Sequence, residues 1–269
     1  MTEARHTSGL LARARVYLSG PMYYGGEAHG EGEGGWRTRV ADFLESQGAT
    51  VFNPWEKPPV RGIGEYGREG DMGQPYRNRW TFDDSPHGAV ARAYCKEKAR
   101  PMTHIDLRMI DTSDLMIAFC PTNIYSVGTV HEIVLARQQK KPVLFVTPPI
   151  ELPALRALRE HLADDGTGLD LLARLEAEGP LRANPTGIPS SWYMAILDSE
   201  NFFDGFGFAH VRGDFPHWRD SAFDGLESTS PPKRPLLPYL AELAGGATPY
   251  KWDSDGRKRP NDDWLLLDI

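Results

Sequence analysis

Two continuous apolar runs, Leu115-Met-Ile-Ala-Phe119 and Pro142-Val-Leu-Phe-Val146, constrain the fold of this chain more than any other feature. A strand with one wet face alternates apolar and polar residues. An unbroken run belongs to a strand covered on both faces, as in parallel sheets. Between the two, Val127 to Gln139 has helical spacing, with Val130, Ile133 and Val134 expected on its inner face. Arg15-Val-Tyr-Leu-Ser-Gly-Pro21 supplies an earlier strand stopped by Gly-Pro, and Thr50-Val-Phe52 another, closed by Asn53-Pro54. Trp36, Val40, Phe43 and Leu44 form a helical stripe between them, and Gly48 ends that helix. Strand–helix–strand repetition predicts an α/β fold, a doubly wound and mostly parallel sheet of Rossmann or flavodoxin type.

Outside that pattern the texture changes. The stretch 56–100 is rich in Gly, Arg and Asp, has little periodicity, and is expected to be a long insertion, functional or disordered. Beyond Pro149, Leu152, Leu155, Leu158 and Leu162, then Leu169, Leu172 and Leu175, predict one or two amphipathic helices. From Pro180 onward the chain is irregular, Pro-jointed and aromatic. The expected division is an α/β core over 14–165 and a C-terminal extension over 166–269, packed on the core or on a neighbouring subunit.

Composition excludes several classes. A net charge of −7 argues against binding duplex nucleic acid, which needs a surplus of Lys and Arg. Two cysteines, Cys95 and Cys120, make neither a disulfide scaffold nor a Cys-rich zinc site. The eight histidines form no HxxxH-type pair, so no metal ligand is expected, His104 and His131 included. Gly30, Gly32, Gly34 and Gly35 lie too far past the first strand to be a dinucleotide fingerprint, and no Walker loop or serine elbow is present. Lys140-Lys141 and Arg257-Lys-Arg259 read as solvated charge. With no apolar stretch of spanning or signal length, a cytoplasmic protein without membrane partner or cofactor is expected.

Ligands of parallel α/β sheets bind beyond the carboxyl ends of the strands. Three segments are expected there: 17–24, the stretch around Asn53, and 120–132. In Ser126-Val-Gly-Thr-Val-His-Glu132, Gly128 lets a ligand approach the backbone and the helix start favours anions. Glu132 falls in an early turn, where the helix dipole is expected to keep it ionised, so it can serve as a nucleophile. Thr129-x-x-Glu132 equally fits a capping box, as Thr103-x-x-Asp106 does on a short helix before the third strand. Asp114 is expected to end that helix.

Taken together, Tyr17-Leu-Ser-Gly-Pro-Met22, Asn53-Pro54, Asp106-Leu-Arg-Met-Ile-Asp-Thr-Ser-Asp114 and Ser126-Val-Gly-Thr-Val-His-Glu-Ile-Val-Leu-Ala136 resemble the nucleoside 2-deoxyribosyltransferase-like superfamily. The resemblance covers about residues 14–148 and includes the branch of deoxynucleoside 5′-monophosphate N-glycosidases. It implies that Glu132 attacks C1′ and forms a covalent glycosyl-enzyme. It further implies that Asp106 contacts the nucleobase and helps its departure, and that Tyr17 positions Glu132. Ser19, Gly20, Met22, Asn53, Ser126, Gly128 and Thr129 are the implied substrate-binding positions. Transferases acting on free nucleosides carry an aspartate six residues before the nucleophile; here that place is Ser126, as in the nucleotide-hydrolysing branch. A hydroxyl and neighbouring N–H groups can donate to a phosphate that a carboxylate would repel.

The resulting expectation is an enzyme that cleaves or transfers at the N-glycosidic bond of a nucleotide or nucleoside, the 5′-monophosphate favoured. Arg77 and Arg79 are candidates to close over the phosphate, or else ordinary loop charges. A silent nucleotide-sensing module and an NAD-type glycohydrolase are the alternatives. Relatives of this fold commonly share their site between subunits. The aromatics of 190–208 (Trp192, Tyr193, Phe202, Phe203, Phe206, Phe208) are therefore expected at a homo-oligomer interface, against the competing reading that they cover the chain's own sheet.

Overall fold

A computed structural model describes residues 9–21, 35–57, 83–120, 126–148, 153–178, 190–207 and 235–267. Met22, Arg77, Arg79 and Phe208 lie outside the described residues. A parallel sheet of five strands has the order β2-β1-β3-β4-β5. Its strands are β1 (Arg15–Ser19), β2 (Thr50–Phe52), β3 (Leu115–Phe119), β4 (Val143–Val146) and β5 (Phe202–Phe203). This is the flavodoxin-type order, whose direction reverses between β1 and β3. Leu18 pairs with Ile117 and Ser19 with Ala118, so both strands end at the same height.

Every residue of β3 and β4 is buried, as their unbroken apolar runs require. Alternate residues divide the core. Val16, Leu18, Ile117, Phe119 and Val146 face one layer, made by α1 (Trp36–Ser46), α7 (Leu236–Ala244) and Trp264. Tyr17, Met116, Ala118, Val143 and Phe145 face the other, with Met109, Ile110, Ile133, Ala136 and Tyr193. That second layer comprises α2 (Pro86–Thr112), α3 (Val127–Gln138) and the short α6 (Ser191–Ile196). Two further helices, α4 (Pro153–His161) and α5 (Gly166–Glu178), lie between β4 and α6 in the chain. A small antiparallel ribbon, β6 (Tyr250–Trp252) with β7 (Lys258–Pro260), follows α7. Among the described residues no helix is long and apolar enough to cross a membrane.

Several expectations need correction. The helix carrying Asp106 is not short: α2 has 27 residues, is capped by Ser85, and takes in the last third of the insertion, from Pro86 onward. Pro101 within it resembles a boundary in sequence, and its first half is mostly exposed, so no apolar stripe announces it. Thr103 sits mid-helix and bonds back to the Ala99 carbonyl, so it caps nothing. Thr112 ends α2 and Ser113 is its C-cap. Asp114 instead accepts from the Arg15 amide and guanidinium, fastening the start of β3 to β1.

On α3 the buried side is Thr129, Ile133 and Ala136, whereas Val130 and Val134 are exposed. Lys141 is not simply solvated. Its ammonium donates to the Ile110 and Asp111 carbonyls at the end of α2, as a cation at a helix C-terminus does. Leu172 is buried, but Leu158 and Leu175 are exposed. The aromatics of 190–207 largely cover the chain's own sheet: Tyr193 and Phe202 pack on Phe145, and Phe206 stacks on Trp36. Trp192 alone of the described group is well exposed.

Candidate active site

The site grows from the carboxyl end of β1. Tyr17 and Ser19 lie two apart on a strand and so point to the same face, the one covered by α2 and α3. Both are fully buried and both are hydroxyls. Glu132 meets them from the second turn of α3: Tyr17 donates to its Oε1 at 2.9 Å, and Ser19 donates to its Oε2. The capping-box reading of Glu132 therefore fails. Ser126, not Thr129, is the N-cap residue of α3, and its Oγ is hydrogen-bonded to Thr129 Oγ1 at 2.5 Å.

Glu132 is held with its pKa raised above the ordinary carboxylate range. Removal of the carboxyl from water is the main cause; the charge of Asp106 adds to it, while Ser19, Tyr17 and Arg37 oppose it. The expectation that the helix dipole governs its ionisation is corrected here, since Glu132 lies beyond the first turn, where that field is concentrated. Tyr17 is pushed well above its usual value by the same burial and by Glu132, so it stays a donor. Hydrogen bonds to a carboxylate favour its charged form. Tyr17→Phe is thus expected to move the Glu132 titration to higher pH, read by NMR on carboxyl-labelled glutamate. A midpoint that stays put or falls would contradict the geometry.

Asp106 approaches from α2 and forms an ion pair with Lys57, Nζ to Oδ1 at 2.9 Å. Asn53, one of the implied substrate positions, has a structural duty at the end of β2. Its side chain accepts from the Trp55 amide and caps the turn Pro54–Glu56, which delivers Lys57 into the interior. Arg37 is the other buried cation among the described residues. Its guanidinium lies over the Trp36 ring and donates to the carbonyls of Leu18 and Gly20. A side chain at Gly20 would stand 2.7 Å from the Trp36 ring and 3.1 Å from Arg37, so this position is reserved for glycine by close approach. At Gly128 the reverse holds: among the described residues nothing lies within 4 Å of where a Cβ would be.

Glu132, Tyr17, Ser19 and Asp106 thus gather at one place, with Asn53 bracing its edge. Lys57 and Arg37 escape the sequence reading. The signals available were weak: a lysine beside Pro58, and an arginine next to the first tryptophan of a helix.

No family model matches the chain, and no curated protein matches its sequence. Some solved structures do match. That of a 2-deoxyribosyltransferase from the psychrotolerant bacterium Bacillus psychrosaccharolyticus is 18% identical, over 49% of this chain and 72% of its own, with a TM-score of 0.26. A conserved protein from Enterococcus faecalis V583 is 17% identical, over 69% and 87%, with a TM-score of 0.30. Similarity of that depth says nothing about activity, and the fold assignment stands on the sheet order and register above.

Proposed function

We propose that this chain cleaves or transfers at the N-glycosidic bond of a nucleoside 5′-monophosphate through Glu132. The observation that carries the reading is the Glu132 carboxylate, gripped by Tyr17 and Ser19 at the switch point of the sheet, with the charge of Asp106 acting on it. Two hydroxyl donors orient the carboxylate and favour its charged form, against a burial that disfavours charge. A bond then forms between a Glu132 oxygen and C1′ as the C1′–N bond breaks. The electron pair leaves with the base, which takes up a proton from solvent. Water or an acceptor base next attacks C1′ and frees Glu132. A homo-oligomer belongs to the same reading.

The preference for a phosphate rests on the start of α3. Its first turn holds no acidic residue, and Ser126 makes no side-chain cap to its amides. Among the described residues nothing crowds Gly128. Such a helix start suits an anion, while the chain's net charge of −7 gives no general attraction.

The test is a panel of nucleosides, their 5′-monophosphates and NAD, with released base read by chromatography. The 5′-monophosphates are expected to exceed their nucleosides by about ten- to hundredfold in kcat/KM, the worth of one set of charge-assisted hydrogen bonds. Equal efficiency would remove the phosphate from the proposal. NAD as the best substrate would replace it with the glycohydrolase alternative.

A further inference from the structure

We propose that Lys57 is a positioning residue for Asp106: its buried ammonium fixes that carboxylate as an acceptor facing the leaving base, selecting bases that present an N–H group. The proposal takes the identity of the base from the glycosidic reading above; the ion pair itself stands independently of it.

The Lys57 side chain is 1% exposed and that of Asp106 15%. Lysine is almost never so buried unless paired. Withdrawing two charges from water is costly, and an apolar pair of similar volume often serves stability as well. Stability alone is therefore a poor reason for this buried pair. Its construction is specific. Asn53 caps the turn after β2, Pro54 opens it, and the ammonium donates to the Pro54 carbonyl at 3.1 Å while pairing with Asp106. Two anchors fix a side chain that is otherwise a flexible stem. They also tie the end of β2 to the C-terminal third of α2.

Asp106 is near enough to the reacting carboxylate for its charge to act on both Glu132 and Tyr17. An ionised carboxylate only accepts hydrogen bonds, and it has about four lone-pair sites, so one ammonium does not exhaust it. A ring N–H or exocyclic amine complements it; a bare ring nitrogen or carbonyl would be repelled. In this arrangement Asp106 holds the base by acceptance and is not the source of its proton.

The test is a double-mutant cycle of Lys57→Met and Asp106→Asn on the full chain. Each single variant is expected to lose about ten- to hundredfold in kcat/KM for the best 5′-monophosphate, and the double variant no more than Asp106→Asn alone. A substrate with a nitrophenyl leaving group, which has no N–H to offer, should be cleaved equally by wild type and Lys57→Met. Additive losses, or an equal loss on the nitrophenyl substrate, would overturn the proposal in favour of a merely structural lysine. Should Lys57→Met fail to fold, the double variant, which leaves no charge unpaired, is compared with Asp106→Asn; any further loss overturns it.

If wild type releases no base, the glycosidic reading fails. Calorimetric binding of purine and pyrimidine 5′-monophosphates then carries the same cycle. Equal weakening by each variant supports the role of Lys57, and additive weakening or no binding overturns it.

Discussion

Glu132→Gln is expected to abolish base release while the protein stays folded. Loss of a covalent nucleophile lowers turnover by about 10⁴–10⁶-fold in enzymes whose remaining groups are intact. Glutamine keeps the shape of the side chain and can still accept a hydrogen bond from Tyr17 or Ser19. It also removes a carboxylate whose burial disfavours its charge, so no large loss of stability is expected. Circular dichroism and thermal melting alongside the turnover assay separate the two effects. Undiminished turnover in the folded variant would end the nucleophile assignment. Asp106, whose charge acts on Glu132 and Tyr17, is then the next carboxylate to test.

The parts of this molecule that could be read from sequence are those where one physical effect dominates. Leu115–Phe119 and Val143–Val146 are apolar throughout because they are covered on both faces, and no other element gives so short and unbroken a run. Gly48 marks the end of α1 because it takes a φ of +85° just past the C-cap. Elsewhere two effects compete. On α3 the helical period narrows the inner face but does not choose between adjacent stripes. Valines suggest one stripe, yet the sheet accepts Thr129 and Ala136, whose small side chains allow close packing. β5 has two residues, too few for any period to register. Pro235 and Pro238 disguise α7, although both stand where a helix start tolerates proline.

The site is less legible still, because its contacts join residues far apart in the chain. Tyr17 and Glu132 are paired in sequence only through the family resemblance, and nothing local announces it. Lys57 looks like any surface lysine until the turn after β2 is seen to direct it inward.

Trp36→Ala is expected to be the most destabilising single change outside the site. Trp36 is 1% exposed and joins Phe206, stacked at 5.2 Å, with Phe119 at 5.3 Å. Emptying a buried tryptophan position costs about 3–5 kcal/mol. For a chain of this size each kcal/mol moves Tm by about 2–4 °C, so a fall of roughly 6–20 °C should appear in thermal melts. The loss should extend beyond packing. Trp36 supports Arg37, whose guanidinium holds the Leu18 and Gly20 carbonyls on either side of Ser19. Phe206 comes from beyond residue 200, so the C-terminal part of the chain braces the strand end that presents Ser19 to Glu132. Trp36→Phe provides the control. It keeps an aromatic ring and removes an indole N–H that has no hydrogen-bond partner among the described residues, so it should cost distinctly less than alanine. If alanine and phenylalanine destabilise equally, or alanine leaves Tm unchanged, the aromatic cluster does not support this end of the sheet as argued.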